Sequence, residues 1–295
     1  MTPSDLEAAE AWLGREEHRV DVLDPWPAAA LTAALGRNDP PGRGEPLPPF
    51  WHQLYHLPVV HADATGPDGH ARKGGFLPPV PLPRRMWAGG RLRIERPLLV
   101  GQEIAKVSAV KAITPKTGRQ GPLVFVLVEH RLTGPQGLAV IEEHDIVYRE
   151  PPVRGAAGPP PAPAGAVWQR QWRPDEVLLF RYSALTYNGH RIHYDRPYAT
   201  EVEGYPGLVV HGPLIATLLL DLLRRERPEA SLCHFAYRAQ APLFAGEALT
   251  VHGKPAADGA EVRLWATGND GRLAMEARAT LAGALSEETP HLPGG

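Results

Sequence analysis

An α+β fold made of two curled antiparallel sheets, the second closed around a long central helix, is what this chain predicts, and three observations carry it. The first is one strong helix, opened by Pro213 in its first turn, apolar nearly all round from Leu214 to Leu223 and stopped by Pro228. A helix greasy on every face must be covered on most sides, and a curled sheet meets that demand. The second is the abundance of β-rich runs separated by glycine-bearing turns on both sides of the helix. The third is an internal repeat. Pro97-Leu98 with Gly101 matches Pro242-Leu243 with Gly246, and Thr133-Gly134 to Leu138-Ala139 matches Thr267-Gly268 to Leu273-Ala274.

Taken in order, Ser4 to Glu7 forms a capping-box pattern that predicts a short helix near Leu6 to Leu13, and Asp24-Pro25 opens a second running to about Leu35. Asn38 to Pro49 reads as a surface loop. Strands are expected at Arg91–Ile94, Glu103–Ile113, Leu123–Thr133 and Leu138–Arg149. The segment Pro151 to Gly165 is rich in proline, glycine and alanine, can donate few backbone hydrogen bonds, and reads as a semi-rigid connector. It divides the chain into an N-terminal domain, residues 1–150, and a C-terminal domain, residues 166–285, followed by a frayed tail, 286–295. In the second half, Arg224, Arg225 and Arg227 suit the negative end of the central helix, and strands are expected at Phe235–Ala239, Ala248–Lys254, Ala260–Thr267 and Leu273–Ala282.

Composition bounds the function. The 295 residues, 43% hydrophobic and 22% charged, are ordinary for a globular protein. A net charge of -2 provides no field that would gather nucleic acid or an anionic membrane, so neither is an expected partner. Cys233 is the single cysteine, which excludes an intramolecular disulfide and a thiolate metal site. The acidic start Met1-Thr-Pro-Ser-Asp-Leu-Glu has no apolar region after it, and Leu214 to Leu223 is far shorter than the roughly 20 residues of a membrane span. A cytoplasmic location is expected.

Chemistry concentrates in Arg181-Tyr-Ser-Ala-Leu-Thr-Tyr-Asn-Gly-His-Arg-Ile-His-Tyr-Asp-Arg-Pro-Tyr-Ala199 and in Gly207-Leu-Val-Val-His-Gly-Pro-Leu214. His193 follows Asn188 by five residues, and the pair can hold a water molecule between them. The His211-Gly212-Pro213 turn opens the central helix, whose N-terminus can polarise a carbonyl oxygen. His52, His56 and His61 carry no HExxH glutamate, so a metal reading is rejected and none is expected. Dinucleotide, phosphate-loop and nucleophile-elbow motifs are missing as well.

The order aromatic-Ser-Ala-x-Thr-x-Asn-x4-His-x-Asp-x3-Ala, followed by Gly-x-x-x-His-Gly-x-Leu, resembles the MaoC-like hydratases and dehydratases of the hot-dog fold. The type 2 hydroxyacyl-thioester dehydratases and the mesaconyl-CoA or itaconyl-CoA hydratases are the nearest branch. The resemblance is strong over Arg181 to Arg225 and weaker over the first half. It implies a double hot-dog with the catalytic unit in the C-terminal half and a degenerate first unit that shapes the acyl pocket. The implied reaction is reversible hydration of an enoyl thioester, carried by coenzyme A or an acyl carrier protein. No cofactor is expected, because the thioester itself stabilises the developing enolate. A homodimer or larger homo-oligomer is expected.

The resemblance makes His193 the acid/base and Gly212 the oxyanion donor, with a packing glycine as the alternative. The family's catalytic aspartate is replaced by Asn188, which can orient water but cannot take its proton; its other reading is a turn residue. His190 and Arg191 either face substrate or brace the segment, and one of them is the candidate for a distal carboxylate. His211 is expected to pack more than to react, and Asp195 to cap the helix starting at Arg196-Pro197. For the phosphates of coenzyme A the candidates are Arg181, Arg196, Arg224 and Arg225, with Arg72, Lys73, Arg84 and Arg85 behind them. A hot-dog thioesterase and a non-catalytic acyl-thioester binding protein are the rival functions.

Overall fold

The computed structural model describes residues 3–118, 121–150 and 158–282; the connector's residues 151–157 and the tail 286–295 lie outside them. The first half holds β1 (Glu16–Val22), β2 (Arg84–Ile94), β3 (Glu103–Gly118), β4 (Gly121–Gly134) and β5 (Gly137–Arg149). The second holds β6 (Trp168–Trp172), β7 (Leu232–Ala239), β8 (Leu249–Pro255), β9 (Glu261–Thr267) and β10 (Leu273–Leu281). These strands form one antiparallel sheet in the order β1-β3-β4-β5-β2-β7-β10-β9-β8-β6. Each half places its strands first, third, fourth, fifth, second, so the two are copies of one topology and the turn-residue repeat reflects a duplicated fold. The two expected sheets are joined edge to edge along β2 and β7, where Gly90 faces Tyr237 and Leu92 faces Phe235.

The helices are α1 (Pro3–Glu10), α2 (Pro25–Ala34), α3 (Glu176–Thr186) and α4 (Gly212–Glu226). In both halves the helical segment lies between the first and second strands in sequence: α2 in one, α3 and α4 in the other. Every residue of α4 from Leu214 to Leu223 is buried, and the helix packs on β6, β8, β9 and β10. Leu214, Leu218, Leu219 and Leu222 are fully enclosed, and each contributes roughly 1.5–3 kcal/mol of burial to the fold. Asp221, also buried, binds Arg225 one turn on (2.7 Å) and Arg37 after α2 (3.0 Å), tying the two central helices together.

Three elements were not anticipated. β1 and β6 are the two edges of the sheet, and their sequences, Glu-Glu-His-Arg-Val-Asp-Val and Trp-Gln-Arg-Gln-Trp, are polar because edges face water. The third is α3, capped by Asp175, whose carboxylate accepts from the Leu178 N–H at 2.8 Å. It buries Leu179, Tyr182 and Leu185 but exposes Phe180, so no clean stripe marks it. β2 also starts earlier than expected, at Arg84, running through Gly89 and Gly90. A Cβ on Gly90 would lie 2.4 Å from the Glu143 carbonyl and from the Tyr237 hydroxyl, so only glycine lets the two halves close here.

The first-half histidines go to separate partners. His52 donates through Nε2 to the buried carboxylate of Glu142 at 2.9 Å, His56 bonds the Ile104 carbonyl at 2.8 Å, and His61 stands exposed. Burial pushes the Glu142 carboxyl up, but the imidazoles of His144 and His52 outweigh it and hold the group well below the usual carboxylate range.

Candidate active site

The site is assembled where α3 ends. Tyr187 adopts a left-handed conformation (φ 51°) that turns the chain out of the helix, and the Asn188 N–H returns to the Ser183 carbonyl at 2.9 Å. Asn188 Oδ1 then accepts the backbone N–H of His190 at 3.0 Å, which is the turn role its chemistry allows. Its Oδ1 is thereby engaged, leaving the side-chain NH2 as the group that can meet a water.

His193 closes a short 3-10 turn, Arg191–His193, and is 7% exposed. Its Nδ1 lies 2.7 Å from the Val209 carbonyl. A carbonyl can only accept, so Nδ1 carries the proton and Nε2 carries the lone pair. Nε2 has no hydrogen-bond partner among the described residues and is not among the sealed polar atoms. The ring stacks on His211 with centroids 3.6 Å apart. His211 is the N-cap residue of α4 and is fully buried; its Nε2 pairs with Ser183 Oγ at 2.8 Å and its ring edge meets Tyr182. Its contacts are with Ser183, Tyr182 and the His193 ring, the packing role expected of it, and they leave it no reach to a substrate except through His193.

Burial drives the His193 imidazole down to about 4, against the pull of the Val209 bond and with a further push from His70. At neutral pH the ring is uncharged and can serve as a base. We therefore expect kcat/KM to hold as the pH falls past 6.5, the value of a free imidazole, and to drop only near 4. A pH profile whose acid limb lies at 6.5 or above would contradict this. The unfolded chain binds the proton first on acidification, so the same burial makes the fold lose stability between those two values.

Gly212, the first residue of α4, follows His211 directly in the chain, and the N–H groups of a first helical turn have no partner within the helix. A Cβ on Gly212 would come 2.7 Å from Trp87 Cε3. Trp87 in turn lies against Tyr237 at 4.6 Å, so the glycine is also a packing requirement.

The first half reaches into this segment, a feature that sequence reasoning missed. The Arg191 N–H donates to the Asp68 carbonyl at 2.9 Å and its guanidinium to the Pro67 carbonyl at 3.0 Å. Gly69 presses on Gly189, and the His70 ring packs on His190 at 4.1 Å, with His193 lying 5.5 Å beyond and at right angles. The only local signal was an Asp-Gly turn in a proline-rich loop. Asp68, His70 and His190 each bring a potential metal-ligand atom within 4.8 Å of the others. Asp68 Oδ2 faces His70 Nδ1 at 3.2 Å, so this pair is accounted for by a hydrogen bond without an ion.

The arginines expected at substrate are mostly engaged. Arg191 donates through Nε and Nη2 to Asp195 at 2.9 and 2.7 Å and lies over Tyr198, so it braces the segment. Asp195 caps the following short turn by accepting the Tyr198 N–H at 3.1 Å. Arg196 pairs with Glu176, Arg224 with Asp39 and Arg225 with Asp221, and Arg84 pairs with Glu203. Arg181 makes no ion pair among the described residues.

Two copies of one five-stranded topology, with a buried imidazole at the head of a wrapped helix, define a double hot-dog enzyme of the acyl-thioester type. The family model for hydroxyacyl-thioester dehydratase type 2 matches residues 50–245, and the chain belongs to that family. It is 45% identical over 281 residues to the mesaconyl-C(4)-CoA hydratase of Chloroflexus aurantiacus, an alignment that covers 92% of this chain and 98% of that protein. Among solved structures, a MaoC-like dehydratase superposes with a TM-score of 0.71 at 15% identity, covering 93% of this chain and 99% of its own. A Mycobacterium tuberculosis protein described as a double hotdog fold gives 0.51 at 16% identity, with 91% and 96% covered. Both structural likenesses speak to the fold alone.

Proposed function

We propose that the protein adds water reversibly across the double bond of an α,β-unsaturated acyl-CoA whose acyl group resembles mesaconate, with His193 as its acid/base. The observation that supports this reading is the Val209 contact: a carbonyl 2.7 Å from Nδ1 requires the proton there and leaves the lone pair on Nε2, which has no partner among the described residues. The membership in a dehydratase family and the identity to a mesaconyl-C(4)-CoA hydratase supply the reaction class and the acyl group.

The step balances on one histidine. Nε2 takes a proton from water as its oxygen bonds to the β-carbon, and the π electrons move toward the thioester oxygen. The positive end of α4, with the Gly212 N–H foremost, faces that developing negative charge. The imidazolium then returns its proton to the α-carbon, leaving a 3-hydroxyacyl thioester. Asn188, through its NH2, is the group that orients the water.

The same proposal divides the chain into a first unit, 1–150, that shapes the acyl pocket and a catalytic unit, 166–285, in keeping with the duplicated strand order. A homodimer or larger homo-oligomer in the cytoplasm belongs to it too. Among the described residues no helix is long and apolar enough to cross a membrane. Mixing the protein with mesaconyl-C4-CoA, itaconyl-CoA and crotonyl-CoA tests the reading. Loss of the conjugated enoyl absorbance without free thiol is expected; free thiol would mean thioester hydrolysis, and binding without turnover would mean a carrier.

A further inference from the structure

We propose that Arg85 and His190, drawn from opposite halves of the fold, form an anion subsite beside His193 that takes the free carboxylate of an enoyl thioester carboxylated at its β-carbon. The inference rests on the hydratase reading and names the substrate class that reading would favour. In a mono-thioester of mesaconate at C4, or of fumarate, the free carboxylate hangs on the carbon that receives the water. Its partner must therefore flank the group that delivers that water.

His190 meets this condition. Its ring lies 5.5 Å from that of His193, is half-buried, and has no hydrogen bond from either nitrogen among the described residues. Its backbone is pinned by Asn188, and its ring packs on that of His70 with centroids 4.1 Å apart and planes tilted by 41°. Burial, together with His70 and His193, drives its imidazole down to about 2, so it stays neutral and offers one N–H donor.

Arg85, in β2, supplies the charge. Its Nη2 donates to the Ala71 carbonyl at 3.2 Å, which parks the guanidinium over the segment that carries His70. Arg85 forms no ion pair among the described residues; its guanidinium also meets the Tyr148 hydroxyl, and its charge is felt, as a minor influence, at both Asp68 and His190. The neighbouring cations are engaged: Arg191 with Asp195, Arg84 with Glu203, and the Lys73 ammonium with the Leu82 carbonyl. Asp68, the acid that would repel an anion, is turned to His70, with Oδ1 on its N–H at 3.1 Å and Oδ2 on Nδ1 at 3.2 Å. A guanidinium with donors to spare matches a carboxylate in shape as well as charge.

The test compares fumaryl-CoA with crotonyl-CoA, which differ only by carboxylate against methyl on the β-carbon. The readout is the ratio of their kcat/KM values, in which changes common to both substrates cancel between variants. Arg85→Gln should lower the fumaryl-to-crotonyl ratio by at least about tenfold, the loss of one charge-assisted contact, with Arg85→Lys in between and melting temperatures unchanged. A ratio within about twofold of wild type in Arg85→Gln overturns the subsite, whether or not overall activity falls. Wild-type protein that hydrates neither thioester overturns the hydratase reading itself, a separate outcome.

Discussion

His193→Ala is expected to lower turnover of an enoyl-CoA by at least about a hundredfold while product still binds. A positioned general acid/base supplies about 10²–10⁴ in rate, and in the proposed mechanism one imidazole performs both proton transfers because Asn188 cannot accept a proton. No neighbour is placed to substitute. His211 is sealed behind the ring with Nε2 on Ser183, and His190 is a far weaker base. Steady-state kinetics alongside product affinity checks this: kcat should fall much more than affinity. A variant that keeps kcat within about tenfold would remove His193 from the chemistry and leave the packing role of a buried imidazole.

Gly69→Ala is expected to cost about 10–100-fold in kcat although residue 69 touches no substrate. Gly69 sits at φ +87°, and a Cβ there would lie 1.9 Å from the Gly189 carbonyl oxygen. The obstacle is backbone, so it cannot swing aside; the segment from Asn188 to His193 must shift. A displacement of about 1 Å at reacting groups costs on the order of 10² in rate. Gly74→Ala is the control, because it has a similar φ of +90° but only a 3.6 Å contact with Pro79. Both variants should lose about 1–3 kcal/mol of stability from the left-handed backbone, read by urea unfolding, and only Gly69→Ala should lose kcat out of proportion. Equal kinetic losses in the two would mean that the clamp between halves does not position His193.

The contrast between what could and could not be read in the chain follows from range. α4 was legible because ten consecutive residues are buried and its ends carry Pro213 and Pro228. The long central strands were legible because burial alternates or runs continuously along them, whereas β1 and β6 carry the water-facing composition of sheet edges. His193 and the head of α4 stood out through a local motif. The pairing of Arg191 with Asp195 follows the i, i+4 spacing and could have been anticipated. The docking of Pro67, Asp68, Gly69 and His70 onto the catalytic segment could not, since Pro67 and Arg191 are 124 positions apart and meet mainly through backbone carbonyls, which leave no residue signature. Asn188, read both as a water ligand and as a turn residue, shows the turn role through a bond only two residues long, which leaves its NH2 for the other.

Following the oxygen of water tests the central claim most directly. In water enriched in heavy oxygen, the wild-type protein acting on mesaconyl-C4-CoA should place one label on the β-carbon hydroxyl of an intact thioester, and His193→Ala should place almost none. Label in the carboxylate of a released acid, accompanied by free thiol, would contradict the account, as would undiminished labelling in the His193 variant.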